Sequence, residues 1–195
     1  TVGVVPDARG APRVHLNGQP VFFVGPLDQG FWPDGLNTPP SDEAMIFDIE
    51  AMKRLGFNGV RKHVKVEPER WYYHCDRLGL LVIQDMPSGD GYIGPRDADF
   101  VRSPESAAQF EVELKRLIDD RGRHPSIVTW VVFNEGWGQS ETARYTDLTA
   151  QLDPTRLIIS ASGWTDRGTG DFLDLHTYPG PGPIPPAEQW GGRAC

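Results

Sequence analysis

The sequence predicts an α/β fold: an incomplete (β/α)8 TIM barrel of about six βα units, preceded by a β-hairpin. Three observations carry that expectation. Short apolar runs alternate with longer amphipathic stretches, the pattern of parallel strands joined by right-handed helical crossovers. Ile127 to Phe133 (I-V-T-W-V-V-F) is largely apolar and rich in β-branched residues, which suits a strand buried on both faces. Strand after strand ends in a polar or aromatic residue: Asp28, Arg61 and His63, Asp85, Asn134 and Glu135, Trp164, His176 and Tyr178. An open doubly wound sheet competes, but a closed ring brings all those ends to one face, where barrel enzymes hold their active sites. A full barrel usually takes about 250 residues. The 195 residues here are therefore expected to be one partial barrel domain over 1–195, completed by residues not in this chain.

Taken in order, Arg13–Leu16 and Gln19–Val24 flank Asn17-Gly18, a strong turn signal for a hairpin over about 13–24. Its second arm runs into Gly25-Pro26-Leu27-Asp28, read as the first strand of the larger sheet. A loop from Gln29 to Pro40 carries Phe31 and Trp32. Ser41 is a good N-cap, with Asp42 and Glu43 in the first turn of a helix that Gly56 ends. Its apolar stripe is read as Ala44, Met45, Phe47, Ile49, Met52 and Leu55. Phe57–Val64 is the second strand. Pro68 opens a helix through Trp71, Tyr72, Cys75 and Leu78 that closes at Gly79. Leu80–Asp85 is the third strand. After a long loop, a helix from about Ser103 to Asp120 turns Phe110, Val112, Leu114, Leu117 and Ile118 inward. The 127–133 run is the fourth strand, and Ser140 starts a helix ending near Leu152-Asp153-Pro154. Arg156–Ala161 is the fifth strand and Phe172–Tyr178 the sixth. Pro179–Pro186 carries no packing signal.

Composition narrows the function. Hydrophobic content of 38% and charged content of 24% are ordinary for a globular chain. A net charge of -8 gives no electrostatic footprint for nucleic acid. No apolar run approaches the roughly 20 residues that span a bilayer, so no membrane partner is expected. Thr1–Pro6 shows no signal-peptide pattern and reads as a start in mid-protein. The two cysteines, Cys75 and Cys195, do not make a disulfide framework and leave the compartment open.

Among candidate motifs, Gly89-Asp90-Gly91-Tyr92-Ile93-Gly94 matches G-x-G-x-x-G after a strand. Pro95 and a non-periodic stretch follow it, so no helix N-terminus would meet a phosphate, and a dinucleotide site is rejected. The histidines at 15, 63, 74, 124 and 176 show no metal-ligand spacing, and G-x-S-x-G is absent. No cofactor or metal is expected. His74 and His124 are read as helix-surface or helix-end residues, Lys62 and Lys65 as solvated surface charges.

Asn134-Glu135 remains. Packing explains poorly an ionisable carboxyl at the exit of a buried strand, beside Gly136, Trp137 and Gly138. Partial desolvation there is expected to raise its pKa into a range useful for proton transfer. Trp32, Trp137 and Trp164 lie at loops or strand ends and could stack on sugar rings or simply pack. Arg61 and His63 alternate onto one side of their strand, toward the mouth, with ion pairing of Arg61 to Asp85 as the other reading.

The patterns N-G-x-P at 17–20, V-R at 60–61, W-Y-x-x-C-D-R-L-G-L at 71–80 and H-P-S-I-V-x-W-x-x-x-N-E at 124–135 resemble glycoside hydrolase family 2, which includes β-galactosidases, β-glucuronidases and β-mannosidases. The resemblance runs from about Arg13 to Tyr178. It implies a TIM-barrel catalytic domain of a retaining β-glycosidase, acting on a carbohydrate substrate and carrying β-sandwich domains upstream. Under it, Glu135 is the general acid/base, Asn134 holds the hydroxyl next to the anomeric carbon, and Arg61 supports the nucleophile. His176 and Tyr178 line the sugar subsite, and His63, Asp85, Trp137 and Trp164 complete the candidate substrate-binding set. Two departures stand out. The family often has R-x-S-H-Y-P after its second strand, whereas residues 61–66 read R-K-H-V-K-V, so the histidine comes one residue early. The family's nucleophilic glutamate closes a seventh strand, typically within G-E-[FY]-G-G. Gln189-Trp190-Gly191-Gly192 imitates that motif with Gln for Glu and no strand before it, and Glu188 is not read as a displaced nucleophile. The nucleophile strand is expected to be missing from this chain.

Overall fold

A computed structural model describes residues 1–195. The chain enters as a three-stranded antiparallel sheet, β1 (Val2–Pro6), β2 (Pro12–Leu16) and β3 (Gln19–Pro20). The turn at Asn17-Gly18 has both residues at positive φ, as a tight hairpin requires. The second arm is paired only over Gln19–Pro20, and β1 adds a strand the sequence pattern does not indicate, on the far side of the first arm, β2. This sheet sits under the main one: Val14, Leu16, Val21 and Phe23 face Leu81, Ile83 and Val128 across a small apolar space. A Cβ on Gly59 would lie 2.2 Å from the Phe23 ring, so glycine is what lets the hairpin close in.

The main sheet is parallel and five-stranded, with neighbours in chain order: β4 (Leu27–Asp28), β5 (Gly59–Lys62), β6 (Leu81–Asp85), β7 (Ile127–Val131) and β8 (Leu157–Ile159). Four helices run between them: α1 (Asp42–Arg54), α2 (Glu69–Leu78), α3 (Pro104–Arg121) and α4 (Thr142–Leu152). Ser41 and Ser103 cap α1 and α3 by accepting from the backbone N–H of Ala44 and Ser106. Gly79 ends α2 in the left-handed conformation. The fourth helix starts at Thr142 after a left-handed Glu141, not at Ser140. No helix is long and apolar enough to cross a membrane.

The core lies between the helices and the outer face of the sheet: Met45 and Ile49 of α1, Trp71 and Tyr72 of α2, Phe110, Leu114 and Ile118 of α3 and Tyr145 of α4 close over Val60, Val82, Trp130 and Ile158. Each such side chain contributes on the order of 1.5–3 kcal/mol by leaving water. Three residues assigned inward are exposed instead: Phe47, Leu55 and Val112. On α1 the buried face is Met45, Ile49 and Met52, a tighter i, i+4, i+7 stripe. His74 and His124 are buried, not superficial: His124 Nδ1 is bonded to Asp76 Oδ2 at 2.7 Å, and its ring stacks on Tyr72. Lys62 and Lys65 are not surface charges either. Strand alternation turns Lys62 into the helix layer, where it is 1% exposed, bonded to Asp28 (2.6 Å) and Glu67 (2.9 Å) and set over the Trp71 ring. Lys65 reaches the same Glu67 at 3.0 Å.

The expected sixth strand, Phe172–Tyr178, is not in the sheet. Asp171 takes its place on the β8 edge. Its N–H donates to Ile158 O (2.8 Å), its carboxylate accepts from Ile158 N (2.8 Å), and the chain then pairs with the C-terminal tail through Leu173 N to Ala194 O.

Candidate active site

Parallel strands expose their C-terminal ends on one side, and there β5, β6 and β7 deliver Arg61, Asp85 and Asn134-Glu135. Arg61 and Asp85 stand in registers that point inward, opposite to the outward Val60, Val82 and Lys62. Their guanidinium and carboxylate form a bidentate pair, Nε to Oδ1 at 2.9 Å and Nη2 to Oδ2 at 2.9 Å. Asp85 is fully buried, and its Oδ2 also accepts from Val64 N at 3.1 Å. Arg61 thus both pairs with Asp85 and faces the mouth. The same guanidinium donates to Asn134 Oδ1 at 2.7 Å, which fixes which way that amide points. Burial opposes the Arg61 charge, but the carboxylates around it, Asp85 first and then Asp174 and Glu135, together keep its pKa above the ordinary value.

Glu135 lies past the end of β7 with its backbone left-handed (φ 48°). Val64 after β5 (φ 46°) and Ser162 after β8 (φ 30°) share that conformation. Non-glycine residues there cost of order 1–3 kcal/mol and cluster at functional sites. The Glu135 carboxylate accepts from Tyr178 Oη at 2.7 Å, and the same Oε1 lies 2.9 Å from His176 Nδ1. A carboxylate only accepts, so Nδ1 carries a proton, while Nε2 lies 3.2 Å from Ser162 Oγ and 3.4 Å from Arg61 Nη1. The His176 ring rests on Gly163, where a Cβ would come within 2.0 Å of it. Asp174 completes the cluster 3.5 Å from His176 Nε2, its pKa raised by burial. The Glu135–His176–Ser162 line has the order of a nucleophilic relay, but Ser162 is 1% exposed and could not meet a substrate carbonyl.

The electrostatics correct one expectation. Burial does push the Glu135 carboxyl up, but the hydrogen bonds from Tyr178 and His176 outweigh it and hold the pKa below the ordinary glutamate value. His63 shares the inward side of β5, and its ring is bonded to Gln29 at 3.0 Å. Burial moves its pKa down and favours the neutral ring. Trp137 is half exposed, and its backbone N–H donates to Asn134 O in a tight turn. Trp164 donates its indole N–H to Tyr92 Oη at 2.8 Å. All nine candidate residues therefore lie around the strand exits. Tyr92, Ser162 and Asp174 belong with them and were missed. Asp174 was recoverable, since it shares the i, i+2 face of its segment with His176. Tyr92 was hidden inside the rejected glycine motif.

Residues 14–175 match the model of a protein family described as glycosyl hydrolases family 2, TIM barrel domain. A β-galactosidase of Oenococcus oeni is 29% identical over 159 residues, 81% of this chain and 15% of that protein. β-Galactosidase 2 of Enterobacter cloacae is 33% identical over 163 residues, with the same two shares, 81% and 15%. The chain thus spans about 15% of the length of these curated relatives. Among solved structures, the β-glucuronidase of Parabacteroides merdae superposes with a TM-score of 0.63 at 20% identity, over 80% of this chain and 20% of that one. A β-galacturonidase from Eisenbergiella tayi bound to galacturonate gives 0.64 at 21% identity, over 80% and 27%. The structural likenesses establish the shared barrel fold, and the family match runs through the strands that carry Arg61, Asp85 and Asn134-Glu135. This chain belongs to glycosyl hydrolase family 2 and carries sequence of its TIM-barrel domain.

Proposed function

We propose that Glu135 is the general acid/base of a retaining β-glycosidase. Asn134, Arg61, His63, Asp85, Trp137, Trp164, His176 and Tyr178 surround its carbohydrate substrate. The observation that carries the reading is a carboxyl at the exit of the most buried strand, on left-handed backbone, where hydrogen bonds from Tyr178 and His176 converge.

Retention uses two carboxyl groups about 5–5.5 Å apart, one attacking the anomeric carbon and one protonating the leaving oxygen before it activates water. We assign the second role to Glu135. Asn134, its oxygen already held by Arg61, turns its amide N–H groups toward the hydroxyl next to the anomeric carbon. We assign the nucleophile to a strand outside these 195 residues, because Asp85 is committed to Arg61 and Asp174 is buried beside Ser162 and His176. A site without that second carboxylate fits the lowered pKa of Glu135. A second carboxylate at that separation would push its pKa up toward the protonated form an acid needs.

The test uses the longer protein that includes this chain. Glu135→Gln should lower turnover of β-glycosides with poor leaving groups by about 10²–10⁴-fold, with a smaller loss for nitrophenyl glycosides, which need little protonation. Proton NMR of the first-formed product should show the β-anomer. The 195-residue chain by itself should not turn over aryl β-glycosides, and turnover by it that Glu135→Gln abolishes would overturn the assignment. The low pKa of Glu135 supports a second reading, a barrel that binds sugar without cleaving it. That reading holds if the native longer protein binds β-glycosides but turns none of them over; equal turnover by the Glu135→Gln and native proteins would instead overturn the role given to Glu135.

A further inference from the structure

The Gly89–Gly94 motif, rejected as a phosphate loop, does something else. Residues 88–94 lie backbone to backbone against 134–140. Ile93 N donates to Gly136 O at 3.0 Å, and Gly138 N donates to Gly91 O at 2.7 Å. Only glycine permits this approach: a Cβ on Gly136 would lie 2.3 Å from Ile93 O, and one on Gly138 would lie 2.0 Å from Gly89 O. Arg102, 5% exposed, clamps both segments. Its Nη2 donates to Ser88 O (2.6 Å) and Gly138 O (2.9 Å), its Nε to Ser140 Oγ (3.0 Å) and its Nη1 to Asp90 (3.3 Å).

What this bracing presents is aromatic. The Tyr92 ring lies 5.3 Å from Trp137, and Tyr92 Oη accepts the Trp164 indole N–H. Trp164 Cδ1 is 3.2 Å from where a Cβ on Gly136 would sit, so the rings crowd the residue next to Glu135. Yet Trp137 is 50% exposed and Tyr92 47% exposed. Large rings held rigidly and left bare have already been charged the entropy of ordering, which favours a ligand that covers them. Tyr92 contacts Trp137 ring to ring and is bonded to Trp164, and none of the three is hydrogen-bonded through its side chain to the Arg61–Asn134–His176 cluster that would hold the cleaved sugar.

We propose that Tyr92 and Trp137, braced by Trp164 and Arg102, form the leaving-group subsite and take a flat apolar face. That face is either an aryl ring or the C–H face of a second sugar. The proposal rests on the reading of Glu135 as proton donor, since the donor stands beside the leaving oxygen and Trp137 follows it by two residues. Arg102 touches no substrate and acts as a positioning residue.

Affinities of the longer protein, in its Glu135→Gln form to prevent turnover, are measured by tryptophan fluorescence. The probes are 4-nitrophenyl β-D-galactopyranoside and β-D-glucuronide, their methyl counterparts, and lactose. The nitrophenyl glycosides should bind roughly 3–10-fold more tightly than the methyl ones. Trp137→Ala should bring that ratio close to one, Tyr92→Phe should retain it, and Arg102→Met should reduce it while raising amide exchange in 88–94. Lactose gaining over the methyl galactoside identifies a second sugar as an occupant, and a gain confined to nitrophenyl glycosides identifies an aryl group. A ratio unchanged by Trp137→Ala, or no binding of either class, overturns the shelf. Failure of the Glu135 reading shows separately, as native turnover in the Glu135→Gln protein with the Trp137-dependent ratio intact.

Discussion

Replacing Arg61 by Met tests the centre of the site through stability alone. Asp85 has no solvent exposure, and Arg61 supplies both of its side-chain partners at 2.9 Å, leaving only the Val64 N–H at 3.1 Å once the guanidinium is gone. Removing one partner of a buried pair costs about 3–5 kcal/mol. Arg61 is 14% exposed, so water from the mouth relieves part of that, and we expect the low end, about 3 kcal/mol. For a chain of this size that lowers Tm by roughly 6–12 °C. The double variant Arg61→Met/Asp85→Leu removes the stranded charge as well and should recover to within about 1 kcal/mol of the native chain, since apolar replacement of a buried pair is often neutral or better. Urea unfolding followed by tryptophan fluorescence, run as a double-mutant cycle, reads both values. A coupling energy below about 0.5 kcal/mol would mean the pair is not isolated from water as described and would refute the reasoning.

Three further outcomes follow from the geometry. Lys62→Met should cost about 3 kcal/mol in the same assay, because Glu67 stays buried with only Lys65 near it; Lys115→Ala, which breaks an exposed i, i+4 pair, should cost no more than about 0.5. Gly138→Ala should cost about 1–3 kcal/mol through strain and collision with Gly89 O, while Gly3→Ala, with open space around it, should stay within about 0.5. Tyr178→Phe should raise the Glu135 pKa, as read by carboxyl carbon NMR, because the phenol holds it down. A carboxyl with a lowered folded-state pKa stabilises above its unfolded value and loses that contribution as pH falls through the folded one. The variant should therefore lose less stability than the native chain as pH falls from the ordinary glutamate value, about 4.3, down through the lower folded-state value, and an unmoved titration would contradict the assignment of its cause.

Elements with local punctuation were legible. Ser41, Ser103 and Gly79 bounded their helices as caps do, and the apolar run at 127–133 gave β7 at once. Periodicity could not resolve which part of a wide stripe turns inward, so Phe47, Leu55 and Val112 were misassigned. Lys62 was misread because strand alternation places it among the helices, and a lysine is buried only when partners distant in sequence, here Asp28 and Glu67, accept it. The strand expected at 172–178 had suitable alternation, but Asp171 had already taken the β8 edge, a competition no local pattern reports. At the site, residue types and strand ends were readable. The state of Glu135 was not, because it depends on Tyr178 and His176 reaching back across 43 and 41 positions.

The brevity of β4 and the occupation of β8 by Asp171 bear on how copies of this chain meet one another. A sheet edge is a template on which a stranger's backbone can crystallise, and long bare edges invite chains to stack into ribbons. One margin here offers two residues, too few to hold a register, and on the other the N–H and C=O of Ile158 are already spoken for. Concentrated solutions should on this account resist fibril growth through the sheet, and Asp171→Ala, which bares the Ile158 N–H while the backbone bond to Ile158 O stays, should weaken that resistance.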